Sequence, residues 1–155
     1  MPELKIGSKA PAFSGKNQDG GKISLADFSG TKLVIFFYPK DNTPTCTVQA
    51  CNLRDHFPIL KKKGVAVIGI SPDDEKSHSK FSAKFQLPFP LIADPDKKII
   101  GKYGVWAEKQ MYGKKYMGVV RTTFLIDEAG KIVGIITKPK VKEHEKEILN
   151  GFFSG

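Results

Sequence analysis

Residues Lys32–Tyr38 read KLVIFFY and residues Val65–Ile70 read VAVIGI, and these two runs constrain the fold more than anything else in the chain. From Leu33 onward the first is unbroken, β-branched and aromatic. A strand without apolar–polar alternation is buried on both faces, so layers must cover the sheet on both sides. Between the runs, Cys46, Ala50, Leu53, Phe57 and Leu60 recur every three or four residues, which marks one face of a helix. Strand, helix and strand make a β-α-β unit with parallel strands and a right-handed crossover. Pro58 falls inside the helical pattern and predicts a kink or an end near Phe57.

Downstream, Glu75–Gln86 reads as a helix bounded by Pro72 and Pro88, Pro90–Ala93 as a short strand, and Asp96–Tyr103 as a short helix. Val119–Ile126 and Lys131–Thr137 flank the turn-rich Asp127–Gly130 and predict an antiparallel hairpin. A last amphipathic helix spans Val141–Phe153. The fold class expected from this order is α/β, a mixed central sheet flanked by helices in a thioredoxin-like arrangement. The 155 residues hold no repeat or Ser/Gly linker, so one domain over residues 1–155 is expected.

Charge says less than its size suggests. The 25 basic and 16 acidic residues leave a net +9, a balance that points to polyanions when it is clustered. Here the lysines are scattered in short runs, Lys61–Lys63, Lys97–Lys98 and Lys114–Lys115, with no long basic arm. A solvated lysine-rich surface accounts for them, and no specific nucleic-acid partner is expected. No stretch approaches the roughly 20 apolar residues of a membrane span, and MPELKIGSKAPAF lacks the apolar run of a secretory signal. The expectation is a soluble, cytoplasmic protein without a membrane partner.

The two cysteines, Cys46 and Cys51, lie in YPKDNTPTCTVQACNLR. Two are too few for a disulfide framework and in a reducing compartment read as inert, metal-binding or catalytic. Cys46 opens the predicted helix: Pro44 suits a first turn and Thr43 can cap it. Unpaired N–H groups and the helix dipole there favour thiolate, the reactive form. Positions five apart on an ideal helix have Cα atoms roughly 8–9 Å apart, whereas a disulfide needs less than about 7 Å. A Cys46–Cys51 bond would therefore require the first turns to unwind, which favours a role in two steps. From spacing, Cys51 is equally a small buried hydrophobe. Zinc binding by Cys46, Cys51 and His56 fits no common ligand spacing.

Pro39, Thr43 and Cys46 form a P-x-x-x-T-x-x-C pattern, and FFYPKDNTPTCTVQACNLRD resembles the peroxiredoxin Q group, also called bacterioferritin comigratory proteins. The resemblance extends through Gly7–Phe13, Leu25–Phe28, Gly69–Asp73, Leu87–Asp94, Tyr103–Trp106 and Arg121–Asp127. It implies a thioredoxin fold and a thiol peroxidase reducing hydrogen peroxide and organic hydroperoxides, recycled by thioredoxin or a similar dithiol, without a cofactor or metal. It implies Cys46 as peroxidatic cysteine and Cys51 as resolving cysteine, joined by an intramolecular disulfide, in a protein that is often monomeric, with a dimer left open.

Pro39, Thr43 and Arg121 match the group's active-site positions. Arg121 would supply a permanent cation favouring the Cys46 thiolate and holding a peroxide oxygen. Thr43 would accept the peroxide proton or donate to developing charge, and Pro39 would shield the thiol from water. Gln49 departs from the pattern, because many relatives carry Glu there.

The other candidates have bland readings. His56, His78 and His144 read as solvated helix positions, and Trp106 with Tyr103, Tyr112 and Tyr116 as packing of a long connector, an aromatic wall beside the site being the alternative. A thioredoxin-type disulfide oxidoreductase is disfavoured by the absence of C-x-x-C. A nucleic-acid-binding protein or redox-regulated chaperone is the non-enzymatic alternative.

Overall fold

The KLVIFFY run becomes the strand on which the fold is built. The computed structural model describes residues 4–153. Its strands are β1 (Ser14–Lys16), β2 (Lys22–Ser24), β3 (Lys32–Phe37), β4 (Val65–Ser71), β5 (Leu91–Ala93), β6 (Trp106–Met111), β7 (Lys114–Val119), β8 (Thr122–Ile126) and β9 (Ile132–Ile136). Its α-helices are α1 (Pro44–Asp55), α2 (Phe57–Lys62), α3 (Glu75–Phe85), α4 (Lys98–Lys102) and α5 (His144–Phe153). Seven strands form one mixed sheet in the order β2-β1-β5-β4-β3-β8-β9, and β6 pairs with β7 apart from it. β3 runs parallel to β4 and antiparallel to β8. Among the described residues, no helix is long and apolar enough to cross a membrane.

Alternate residues of β3 enter different cores, as the pleat requires. Leu33, Ile35 and Phe37 join Ile68, Ile70, Ile100, Tyr103 and Phe124 on one face. Val34 and Phe36 join Cys46, Ala50, Leu53, Leu60, Phe89 and Ile148 on the other, beneath α1 and α5. Gly69, opposite Phe36 in the register, admits that ring: a Cβ there would stand 2.7 Å from Phe36 Cζ.

The predicted central elements are all present with ends shifted by a few residues. The chain breaks between α1 and α2 at His56, and Pro58 sits in the first turn of α2, where its missing N–H costs no helical bond. The expected hairpin is β8–β9, but Val119 belongs to β7, because Val120 and Arg121 interrupt the run before β8. Two hairpins were not anticipated. β1–β2 is only three residues a side, and β6–β7 carries mixed polar side chains with no one-sided alternation. The connector aromatics do not form a wall: Tyr103 is buried, whereas Tyr112, at the β6–β7 tip with φ 52°, is 97% exposed.

Candidate active site

β3 delivers the chain to a loop, residues 38–43, that places α1. Tyr38 is buried and stacked on Phe36, and its hydroxyl donates to Asp41 Oδ1 at 2.6 Å. Asp41 Oδ2 also lies 2.7 Å from both Ser77 Oγ and His78 Nδ1 on α3, and the Asp41 N–H donates to Asp73 Oδ2 at 2.8 Å. Burial raises the pKa of Tyr38 well above its ordinary value, with the Asp41 charge and the hydrogen bond to Asp41 adding to it. Past this anchor Asn42 takes φ 60°, Thr43 returns to extended geometry, and Pro44 opens α1 at its first position. Thr43 heads the helix as expected, but its side chain does not cap it; Oγ1 donates instead to the Lys40 carbonyl at 2.8 Å, closing the loop on itself. Pro39 is half-buried in the same loop.

The first ladder bond of α1 runs from the Thr47 N–H to the Thr43 carbonyl, so the Thr45 and Cys46 N–H groups precede the ladder at the positive end of the helix. Cys46 is 1% exposed. A cation lies against it: Arg121 Nη2 donates to Cys46 Sγ at 3.1 Å, while Nη1 donates to Gln49 Oε1 at 2.7 Å. Arg121 stands one residue before β8 rather than on it, in a segment tied by Val120 N–H to the Val105 carbonyl at 2.7 Å and Thr122 Oγ1 to the Val120 carbonyl at 2.8 Å.

Cys51 is on the same helix, half-buried, and both cysteines are free. With α1 intact the thiols cannot meet at bonding distance. Asn52, the next residue, ties this end to α5: Nδ2 donates to the Lys142 carbonyl at 3.0 Å and to Glu145 Oε1 at 3.2 Å, and Oδ1 accepts the Glu145 N–H at 2.9 Å. His56 Nδ1 turns back to the Asn52 carbonyl at 2.8 Å rather than toward either thiol.

The structure thus joins Cys46, Arg121 and Gln49 directly, sets Pro39 and Thr43 in the adjoining loop, and leaves Cys51 five residues further along α1. It corrects two histidines. His78 and His144 are fully buried, not solvated. His78 shares the inner face of α3 with Phe81, and His144 that of α5 with Ile148, so each occupies a core position among polar neighbours. His144 Nε2 lies 2.9 Å from Thr123 Oγ1 and Nδ1 3.0 Å from Glu147 Oε1; burial lowers its pKa despite the Glu147 carboxylate. The Asp41–Asp73–His78 cluster behind the loop was missed, because it assembles from three segments whose spacing carries no signal.

A buried thiol held against a guanidinium at a helix N-terminus is equipped to attack a small electrophile. Residues 6–135 match the AhpC/TSA family. Peroxiredoxin Bcp of Escherichia coli is 46% identical over 97% of this chain and 96% of its own, and a putative peroxiredoxin bcp of Coxiella burnetii is 46% identical over 94% and 97%. A cysteine mutant of Xylella fastidiosa PrxQ superposes with TM-score 0.92 at 31% identity, covering 99% of this chain and 98% of that one. A Xanthomonas campestris bacterioferritin comigratory protein, studied for alkyl peroxide reduction, gives 0.87 at 34% identity over 97% and 96%. The chain belongs to the AhpC/TSA family, thiol peroxidases on a thioredoxin-like fold. Within it the chain falls in the peroxiredoxin Q, or Bcp, group.

Proposed function

We propose that the single domain of residues 1–155 reduces hydrogen peroxide and organic hydroperoxides at Cys46, resolves through Cys51 and is recycled by thioredoxin. The observation that carries this reading is the Arg121 guanidinium, which donates to Cys46 Sγ at 3.1 Å. The Cys46 thiolate attacks one peroxide oxygen in line. The O–O bond breaks, the leaving oxygen takes a proton as water or alcohol, and Cys46 becomes a sulfenic acid. Arg121 and the N–H groups at the head of α1 stabilise charge on the reacting oxygens, and Thr43 and Pro39 shape the loop over the sulfur.

Unwinding of α1 then brings Cys51 to the sulfenic sulfur, forming a disulfide and releasing water. Thioredoxin, or a dithiol like it, reduces that bond by exchange. The cycle needs a supply of dithiol reductant, which suits the cytoplasm, and it needs only one chain, which suits a monomer. The test is turnover with thioredoxin, its reductase and NADPH. Cys46→Ser abolishes peroxide-dependent oxidation, and Cys51→Ser allows one equivalent of peroxide per chain. Full activity of Cys46→Ser would refute the assignment.

A further inference from the structure

Gln49 is fully buried one helical turn after Cys46. Its Oε1 accepts from Arg121, whereas Nε2 has no partner among the described residues. The amide cannot turn over to repair this. Every polar hydrogen of a guanidinium is a donor, so only the carbonyl end of Gln49 can face Arg121. Folded α1 therefore carries a desolvated, unpaired N–H in the middle of the site.

The two sides of this contact are held very differently. Arg121 sits in a segment tied to Val105 and running straight into buried β8. The first turns of α1 bury only the small side chains of Cys46 and Ala50 beside Gln49; the larger anchors, Leu53 and the Asn52 tie to α5, lie beyond Cys51. Upstream, the chain is fixed at Asp41. Asn42 Oδ1 also accepts from Lys84 Nζ at 3.3 Å, and the stretch from Pro44 to Cys51 beyond it is clasped to the rest of the fold by the Arg121 guanidinium.

We propose that Gln49 is a positioning residue that sets how readily α1 opens, and with it the fate of oxidised Cys46. Its neutral amide keeps the Arg121 clasp weak, and opening lets water reach the unpaired Nε2. The inference rests on the Cys46–Cys51 pairing proposed above. A sulfenic acid on Cys46 has two fates. In condensation, the Cys51 sulfur bonds to the Cys46 sulfur, the S–O bond breaks, and the hydroxyl leaves as water with the thiol proton. In over-oxidation, the sulfenate attacks a second peroxide, takes one of its oxygens and releases water or alcohol, giving a sulfinic acid. Only condensation requires α1 to unwind.

Gln49→Glu preserves shape and turns a guanidinium–amide hydrogen bond into an ion pair with a carboxylate that matches the guanidinium fork. The change disfavours opening by about tenfold. Three readouts follow in purified protein. In reduced Gln49→Glu, amide hydrogen exchange across residues 45–51 slows about tenfold while β3 amides, the check on folding, stay as in wild type. Disulfide formation after one equivalent of hydrogen peroxide slows comparably. The sulfinic-acid fraction in excess peroxide, read by intact mass, rises by a similar factor relative to disulfide. Unchanged or faster exchange, with an unchanged sulfinic fraction, would overturn the role given to Gln49. Wild-type protein that consumes peroxide without forming the Cys46–Cys51 bond would instead remove the pairing beneath it.

Discussion

Replacing Arg121 with Gln removes the cation beside the Cys46 sulfur while keeping a polar side chain. Two contacts are at stake, the 3.1 Å donation to Cys46 Sγ and the 2.7 Å donation to Gln49 Oε1. A hydrogen bond to a charged group contributes about 1.5–3 kcal/mol, and this one is made to a sulfur buried away from water. A loss of about 2–3 kcal/mol of transition-state stabilisation lowers the second-order rate constant about 30- to 150-fold. Arg121→Lys keeps the charge but not the planar fork, so it serves Cys46 or Gln49 and not both; it should recover about half of the loss on a logarithmic scale. Rapid mixing with hydrogen peroxide, followed by thiol quantification, measures both. Arg121→Gln within threefold of wild type, or Arg121→Lys no better than Arg121→Gln, would mean that the guanidinium does not set the rate at Cys46.

Three further outcomes follow from the packing. Leu53→Ala, at a fully buried position under α1, should cost about 2–5 kcal/mol in urea unfolding. Gly69→Ala forces a methyl to 2.7 Å from Phe36 Cζ, costing about 1–3 kcal/mol; because Phe36 stacks on Tyr38, which holds Asp41, the peroxide rate should fall with it. His144, whose pKa is lowered by burial from 6.5, stays neutral in the folded protein where the unfolded chain takes up a proton. Stability should therefore fall as pH drops below 6.5, by up to about 1.4 kcal/mol per pH unit, and His144→Gln should flatten that slope between pH 7 and pH 5.

Much of the fold was legible because its centre is written in long patterns. Uninterrupted apolar runs specify β3 and β4, three-to-four spacing specifies α1 and α2, and Pro58 signals the break that falls at His56 between them. The short peripheral hairpins were not legible: β1 and β2 offer three residues each, too few for a period to show, and β6–β7 pairs charged and apolar residues across strands with only its base, at Trp106 and Val119, packed on the core. The site divides in the same way. Cys46 could be placed from Pro44 and the start of a helix, and the P-x-x-x-T-x-x-C pattern supplied Pro39 and Thr43. Arg121 was legible as a motif position, but its grip on both Cys46 and Gln49 depends on a contact across 75 residues. His78 and His144 were misread because polarity alone does not distinguish a solvated helix face from a buried face that supplies hydrogen-bond partners.

The central claim is that two thiols on one intact helix form a nucleophile and its resolver. It is tested most directly by intact mass and peptide mapping of reduced protein after one equivalent of hydrogen peroxide. The expected result is the loss of two hydrogens, mapped to a bond between Cys46 and Cys51. Both thiols still free after complete mixing, or oxidation confined to Cys51, would contradict it.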